Sequence, residues 1–137
     1  MLTAEAVILT LKIAVVVVTV LLAFSLAALA SGNFRLHGRI NLVFFILVLA
    51  ALLGLEMVAH VVRPGMLQDF LRRNDALESL YIHLGFAVPS ALLLPAMLYS
   101  GLKGLRTAHV SMGILFLALW TGTFITGIFF LPHTGQP

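Results

Sequence analysis

Four long apolar stretches, each broken by only a few polar side chains, alternate with short polar segments along this chain. They run from about Ala6 to Ala30, Arg39 to Val62, Leu77 to Gly101 and Thr107 to Leu131. Each is longer than the roughly 18 residues needed to cross a hydrocarbon core of about 30 Å. Backbone polar groups inside that core must be satisfied within the segment, which selects helices. Ser31-Gly32-Asn33 is expected to break the first helix, Arg63-Pro64-Gly65 the second, and Pro132 the fourth. Asp75 and Glu78 have capping-box spacing and are expected to start the third. Between the second and third spans, residues 66–73 read as a short amphipathic helix on the membrane surface. The expected fold is all-α, an integral membrane up-down bundle of four transmembrane helices forming one domain over residues 1–137. No internal repeat is evident.

Composition sharpens this picture. Hydrophobic residues make up 61% of the chain and charged residues 9%, far from the balance of soluble domains. The first span is too long for the apolar core of a signal peptide and is read as a membrane helix. The absence of cysteine excludes disulfides, thiolate metal sites and thiol catalysis. The net charge of +3 sits in short turns, which suits a lipid surface and not nucleic acid. The first and third loops carry Arg35, Arg39, Lys103 and Arg106 and no acid, whereas the middle loop mixes Arg63, Arg72 and Arg73 with Asp69, Asp75 and Glu78. Positive-inside reasoning places the first and third loops in the cytoplasm and both termini outside.

The chemistry lies in the histidines. His37 opens the second span and His109 the fourth, both at the inner edge. His60 closes the second span and His83 lies early in the third, both at the outer edge; His133 follows the last span and is left out of the sites. His37 and His60 stand about 34 Å apart at the helical rise of 1.5 Å per residue, so they cannot share a ligand. One interfacial histidine ordinarily hydrogen-bonds a headgroup or a helix end. Four that pair by depth point to two polar layers, because neutral imidazole is a common metal ligand and an axial ligand of haem.

The two layers are expected to differ. Neighbouring helices pack with axes about 8–10 Å apart. His60 and His83, on adjacent second and third helices, are expected to close on a small ion. Glu56, one turn before His60, would be a third ligand or set the imidazole tautomer. Without a metal, Glu56 reads as a proton-carrying or helix-pinning carboxyl, since an intramembrane acid marks a role by default. His37 and His109 face each other across the bundle diagonal, a gap that suits haem. The cofactor is left as haem b or copper.

Other features read as structural. Pro89 and Pro95 should kink the third helix. Thr121-Gly122-Thr123 and Thr126-Gly127 give the fourth helix a small hydrogen-bonding face for close packing. Trp120 reads as core, and Lys12 as a side chain snorkelling outward. No phosphate loop, hydrolase elbow or zinc-protease motif is present, and catalysis is not expected.

The stretch "LHGRINLVFFILVLAALLGLEMVAHVV" resembles the second span of the small four-helix membrane family called domain of unknown function 420. Leu36, His37 and Arg39 match its Leu-His-x-Arg entry, and His60 its second histidine. His83 followed by Pro89, and His109 followed by Trp120, Thr126 and Gly127, match its later landmarks. Lys12 stands in a first span where the family carries asparagines. The resemblance implies a role in the biogenesis of haem-copper terminal oxidases. Three readings follow: an accessory factor binding haem or copper during oxidase assembly, a cytochrome b-like electron-transfer subunit, or a structural membrane subunit. The setting expected is a bacterial cytoplasmic membrane, with lipid and other membrane subunits of a terminal oxidase or another respiratory complex as partners. On the charge-based orientation, cysteines placed at Gly32 and Gly104 are shielded from an impermeant external thiol reagent while one at Gln68 reacts; the reverse pattern would invert the topology.

Overall fold

The computed structural model describes residues 2–134. It is helical throughout, with α1 over Ala4–Ala30, α2 over Phe34–Met57, α3 over Met66–Arg73, α4 over Leu77–Leu102 and α5 over Arg106–Ile125. α2 continues as a π-helical turn over Val58–Val62, and α5 does the same over Thr126–Phe130. Four of these helices are long and apolar enough to cross a membrane. The chain is a multi-pass membrane protein built as a packed helical bundle.

The bundle is two hairpins laid side by side. α1 packs along α2 and α4 along α5, while α2–α4 and α1–α5 approach only sparsely. α2 and α5 are therefore diagonal. Both tight turns are Schellman motifs. In the first, Gly32 N–H donates to Leu29 O and Asn33 N–H to Ala28 O; in the second, Gly104 N–H donates to Gly101 O and Leu105 N–H to Ser100 O. Gly32 and Gly104 both have positive φ, at 78° and 68°, which glycine adopts without a Cβ penalty. Cysteine labels for topology therefore sit better at Ser31 and Lys103.

The hairpins repeat each other, which the sequence alone had not revealed. One interval separates Ser25 from Met97, Gly32 from Gly104, His37 from His109, Asn41 from Gly113 and Phe44 from Phe116. The last pair meets at the bundle centre, ring to ring at 6.0 Å and 90°. Trp120 stacks on Phe116 at 5.6 Å and meets Phe44 edge-on at 5.1 Å, and Val18, Val48 and Leu94 complete this core. Its indole N–H donates to Thr19 Oγ1 of α1 at 3.1 Å, so the one tryptophan ties the hairpins together.

Lipid tails are as apolar as leucine, so helices in a membrane hold together by close packing and hydrogen bonds. The α4–α5 seam shows both. A Cβ on Gly122 would lie 2.3 Å from the Phe86 ring, and one on Gly127 would lie 3.0 Å from the His83 ring. Ser90 Oγ stands 3.3 Å from Thr123 Oγ1 in the same seam. The Thr-Gly pairs are the small face on which α4 lies. α4 runs unbroken as helix through Pro89 and Pro95.

Two local expectations are corrected. Asp75 does not cap α4: it adopts φ 52°, Ala76 takes the N-cap position, and no side chain bonds there. Lys12 does not snorkel away. Its Nζ donates to Ile128 O at 2.8 Å and lies 3.3 Å from His133 Nδ1, because the end of α5 leaves carbonyls without helical donors. α3 folds over this end and buries Phe70 and Leu71 against Ala4, Ile8 and Ala76. Gly122→Leu is expected to cost about 1–3 kcal/mol by overpacking the α4–α5 seam, read as a lower thermal midpoint in detergent. Gly38→Leu, where a Cβ meets nothing within 4 Å, should not lower it.

Candidate metal centre

Helical geometry sorts the histidines. At about 100° per residue, His37 lies within roughly 20° of Phe44 on α2, whereas Glu56 and His60 lie roughly 120° and 160° away. His37 therefore points along the core stripe, and the other two point out of the bundle.

The structure follows that rule. Glu56 Oε2 and His60 Nε2 lie 3.1 Å apart, with side chains 67% and 70% exposed. His83, on α4, instead turns towards α5, where its Nδ1 lies 2.9 Å from Thr126 Oγ1. The Thr126 hydroxyl donates to Gly122 O at 2.7 Å, so the imidazole is the donor in its bond to Thr126. Among the described residues no three His, Asp or Glu side chains gather closely enough to hold an ion. Glu56, His60 and His83 are thus not brought together as a three-ligand outer site. Glu56 and His60 partner each other, and His83 partners the α5 seam.

The inner layer does converge. The His37 and His109 rings stand 6.3 Å apart at 84°, one from each hairpin. Each is latched to its own hairpin in the same way. His37 Nδ1 lies 3.0 Å from Ser25 O, and His109 Nδ1 lies 2.9 Å from Met97 O, in both cases 12 residues earlier on the preceding helix. A carbonyl only accepts, so both Nδ1 atoms carry the proton and both Nε2 atoms of the neutral rings are lone pairs. This is the arrangement by which a hydrogen bond at one ring nitrogen frees the other for a metal.

The surroundings of the two rings differ. Ser25 is fully buried, and its hydroxyl donates to Asn41 Oδ1 while lying 2.8 Å from His37 Nδ1. With its oxygen occupied, Asn41 turns its amide N–H₂ to His37 Nε2 at 3.0 Å. His37 is thereby held at both nitrogens. On the other hairpin, Ser100 Oγ lies 3.4 Å from His109 Nδ1 and donates to Met97 O. The His109 ring lies on Gly101, where a Cβ would sit 3.2 Å from the ring. Sequence reading picked out the two histidines and missed Ser25, Asn41, Met97 and Gly101. The signal for Asn41 was its place one turn after His37, and for Gly101 its place beside the turn.

At the opposite end of the bundle an open cleft of about 450 Å³ is lined by Lys12, Asn74, Asp75, Ser79 and His133, among others. His133, left out at the sequence level, belongs here and not to a histidine layer. Comparison with protein families, curated proteins and solved structures returns no match.

Proposed function

We propose that this chain is a membrane accessory factor that holds a transition metal, as haem iron or as a copper ion, through His37 and His109. The observation that carries the reading is the pair of carbonyl-latched imidazoles, one per hairpin, with ring centres 6.3 Å apart. Two imidazoles sharing one ion, each nitrogen about 2.0–2.1 Å from it, stand with ring centres roughly 6 Å apart. The spacing suits a bare ion once Asn41 releases His37 Nε2. The same two imidazoles would serve as the ligands of haem if that were the group held. Bound there, the metal would supply one-electron redox chemistry or serve as cargo. The chain's own part is to fix the two tautomers and shield the site with packed helices.

The accessory reading is favoured over a cytochrome b-like electron carrier by the outer layer. Transfer across the bilayer calls for a second redox group near the far face, and there His60 and His83 have separate, non-converging partners. The outward Glu56–His60 pair is the polar feature that this part of α2 offers to another membrane subunit. The setting in haem-copper oxidase maturation in a bacterial cytoplasmic membrane, with the termini outside, rests on the resemblance and the loop charges.

The test uses the full-length protein in detergent, reconstituted separately with haem b and with copper. One of them should bind with a stoichiometry near one per chain. His37→Ala and His109→Ala should each remove the same spectral signal or bound metal, while His60→Ala and His83→Ala leave it. Independent and additive effects of the inner pair, or no binding of either species, would overturn the reading.

A further inference from the structure

We infer that the inner site is built for copper(I), with the Met97 thioether as a third ligand beside His109 and His37; this rests on the reading above and names its metal. The two hairpins repeat each other, so corresponding positions can be compared directly. On the first, Asn41 stands one turn after His37 and reaches back to its Nε2. On the second, the corresponding residue one turn after His109 is Gly113, which has no side chain. The space is taken instead from α4: the terminal methyl of Met97 lies 3.8 Å from where a Cβ on Gly113 would be. The end of the Met97 side chain therefore borders the position, one turn after His109, that Asn41 holds one turn after His37.

The exchange has a chemical consequence. An amide N–H₂ caps an imidazole lone pair, as Asn41 does. A thioether has no proton to donate, so the lone pair on His109 Nε2 stays open on that side. A neutral thioether with imidazole suits copper(I) among the first-row ions, whereas zinc(II) takes sulfur mainly as thiolate, which this cysteine-free chain does not offer. No third His, Asp or Glu reaches the pair among the described residues, so a third donor has to be of another kind. Met97 also anchors His109 through its backbone carbonyl, and its half-buried side chain packs against the central aromatic core. One residue thus sets the tautomer of the imidazole through its carbonyl and, as proposed, supplies the sulfur from its side chain. In this arrangement His109 and Met97 take the ion first, and His37 joins when Asn41 lets go of its Nε2.

The experiment loads full-length protein in detergent with copper(I) under anaerobic conditions, in competition with a chromogenic copper(I) chelator, and records copper X-ray absorption. Wild type should show a copper–sulfur scattering path. Met97→Leu, which keeps the volume, should lose that path and weaken copper(I) binding by at least about tenfold, the low end even for an outer-shell partner. The thermal midpoint of the metal-free protein should stay unchanged. Met97→Cys should restore the sulfur path, which separates ligation from packing. A sulfur path that persists in Met97→Leu, unchanged copper(I) affinity, or a protein that takes haem but not copper(I) would overturn this inference while leaving the two-histidine site standing. Failure of His109→Ala to reduce any metal or haem binding would overturn the site itself.

Discussion

The hydrogen bond from each inner imidazole to a backbone carbonyl of the preceding helix is the interaction on which the rest depends. It does three things at once. It closes the turn end of a hairpin with a side chain that the membrane interior tolerates as a neutral ring. It fixes the proton on Nδ1, because a carbonyl offers only lone pairs. It leaves Nε2 of His37 and of His109 as acceptors and sets their rings 6.3 Å apart. Nothing on either helix alone specifies that distance. It arises because the same latch is made twice, in hairpins with the same turn and the same aromatic residue further along.

Between the hairpins the bundle is held by less. Phe44, Phe116 and Trp120 interlock at the centre, and the Trp120–Thr19 and Lys12–Ile128 hydrogen bonds tie α1 to the second hairpin. Within the second hairpin, by contrast, Gly122 and Gly127 let Phe86 and His83 press against α5. A ligand shared by His37 and His109 would add a bond across the weaker interface. Binding and hairpin docking are then linked, since anything that binds the docked state stabilises it. On the proposed reading such a link would let a loosening of that interface loosen the grip on the ligand.

Much of this was legible in the sequence, for definite physical reasons. Four apolar runs of membrane-spanning length admit helices and little else, and glycines at Gly32 and Gly104 mark turns that need positive φ. The inner pair could be found because His37 and His109 each open a span. In the His60–His83 layer the Glu56–His60 pairing was legible from its i, i+4 spacing, but depth in the membrane does not give rotation about a helix axis. Counting at 100° per residue from the core position Phe44 places Glu56 and His60 on the far side of α2, and the structure has them there. Lys12 was misread for a different reason: its partner is a carbonyl freed at the end of α5, and a backbone acceptor leaves no mark in composition. The repeat stayed hidden because few identical residues carry it, while Asn41 and Gly113, and Ser25 and Met97, have diverged into different chemistry.

The central claim concerns the protonation of two ring nitrogens, and nitrogen NMR of histidine-labelled protein reads it directly. In the metal-free protein at a pH where the imidazoles are neutral, His37 and His109, assigned through their alanine variants, should both show a protonated Nδ1 and an unprotonated Nε2. Adding the bound metal or haem should move the Nε2 resonances of both and leave His60 and His83 where they were. A protonated Nε2 on either inner histidine, or a ligand-induced shift confined to the outer pair, would contradict the account.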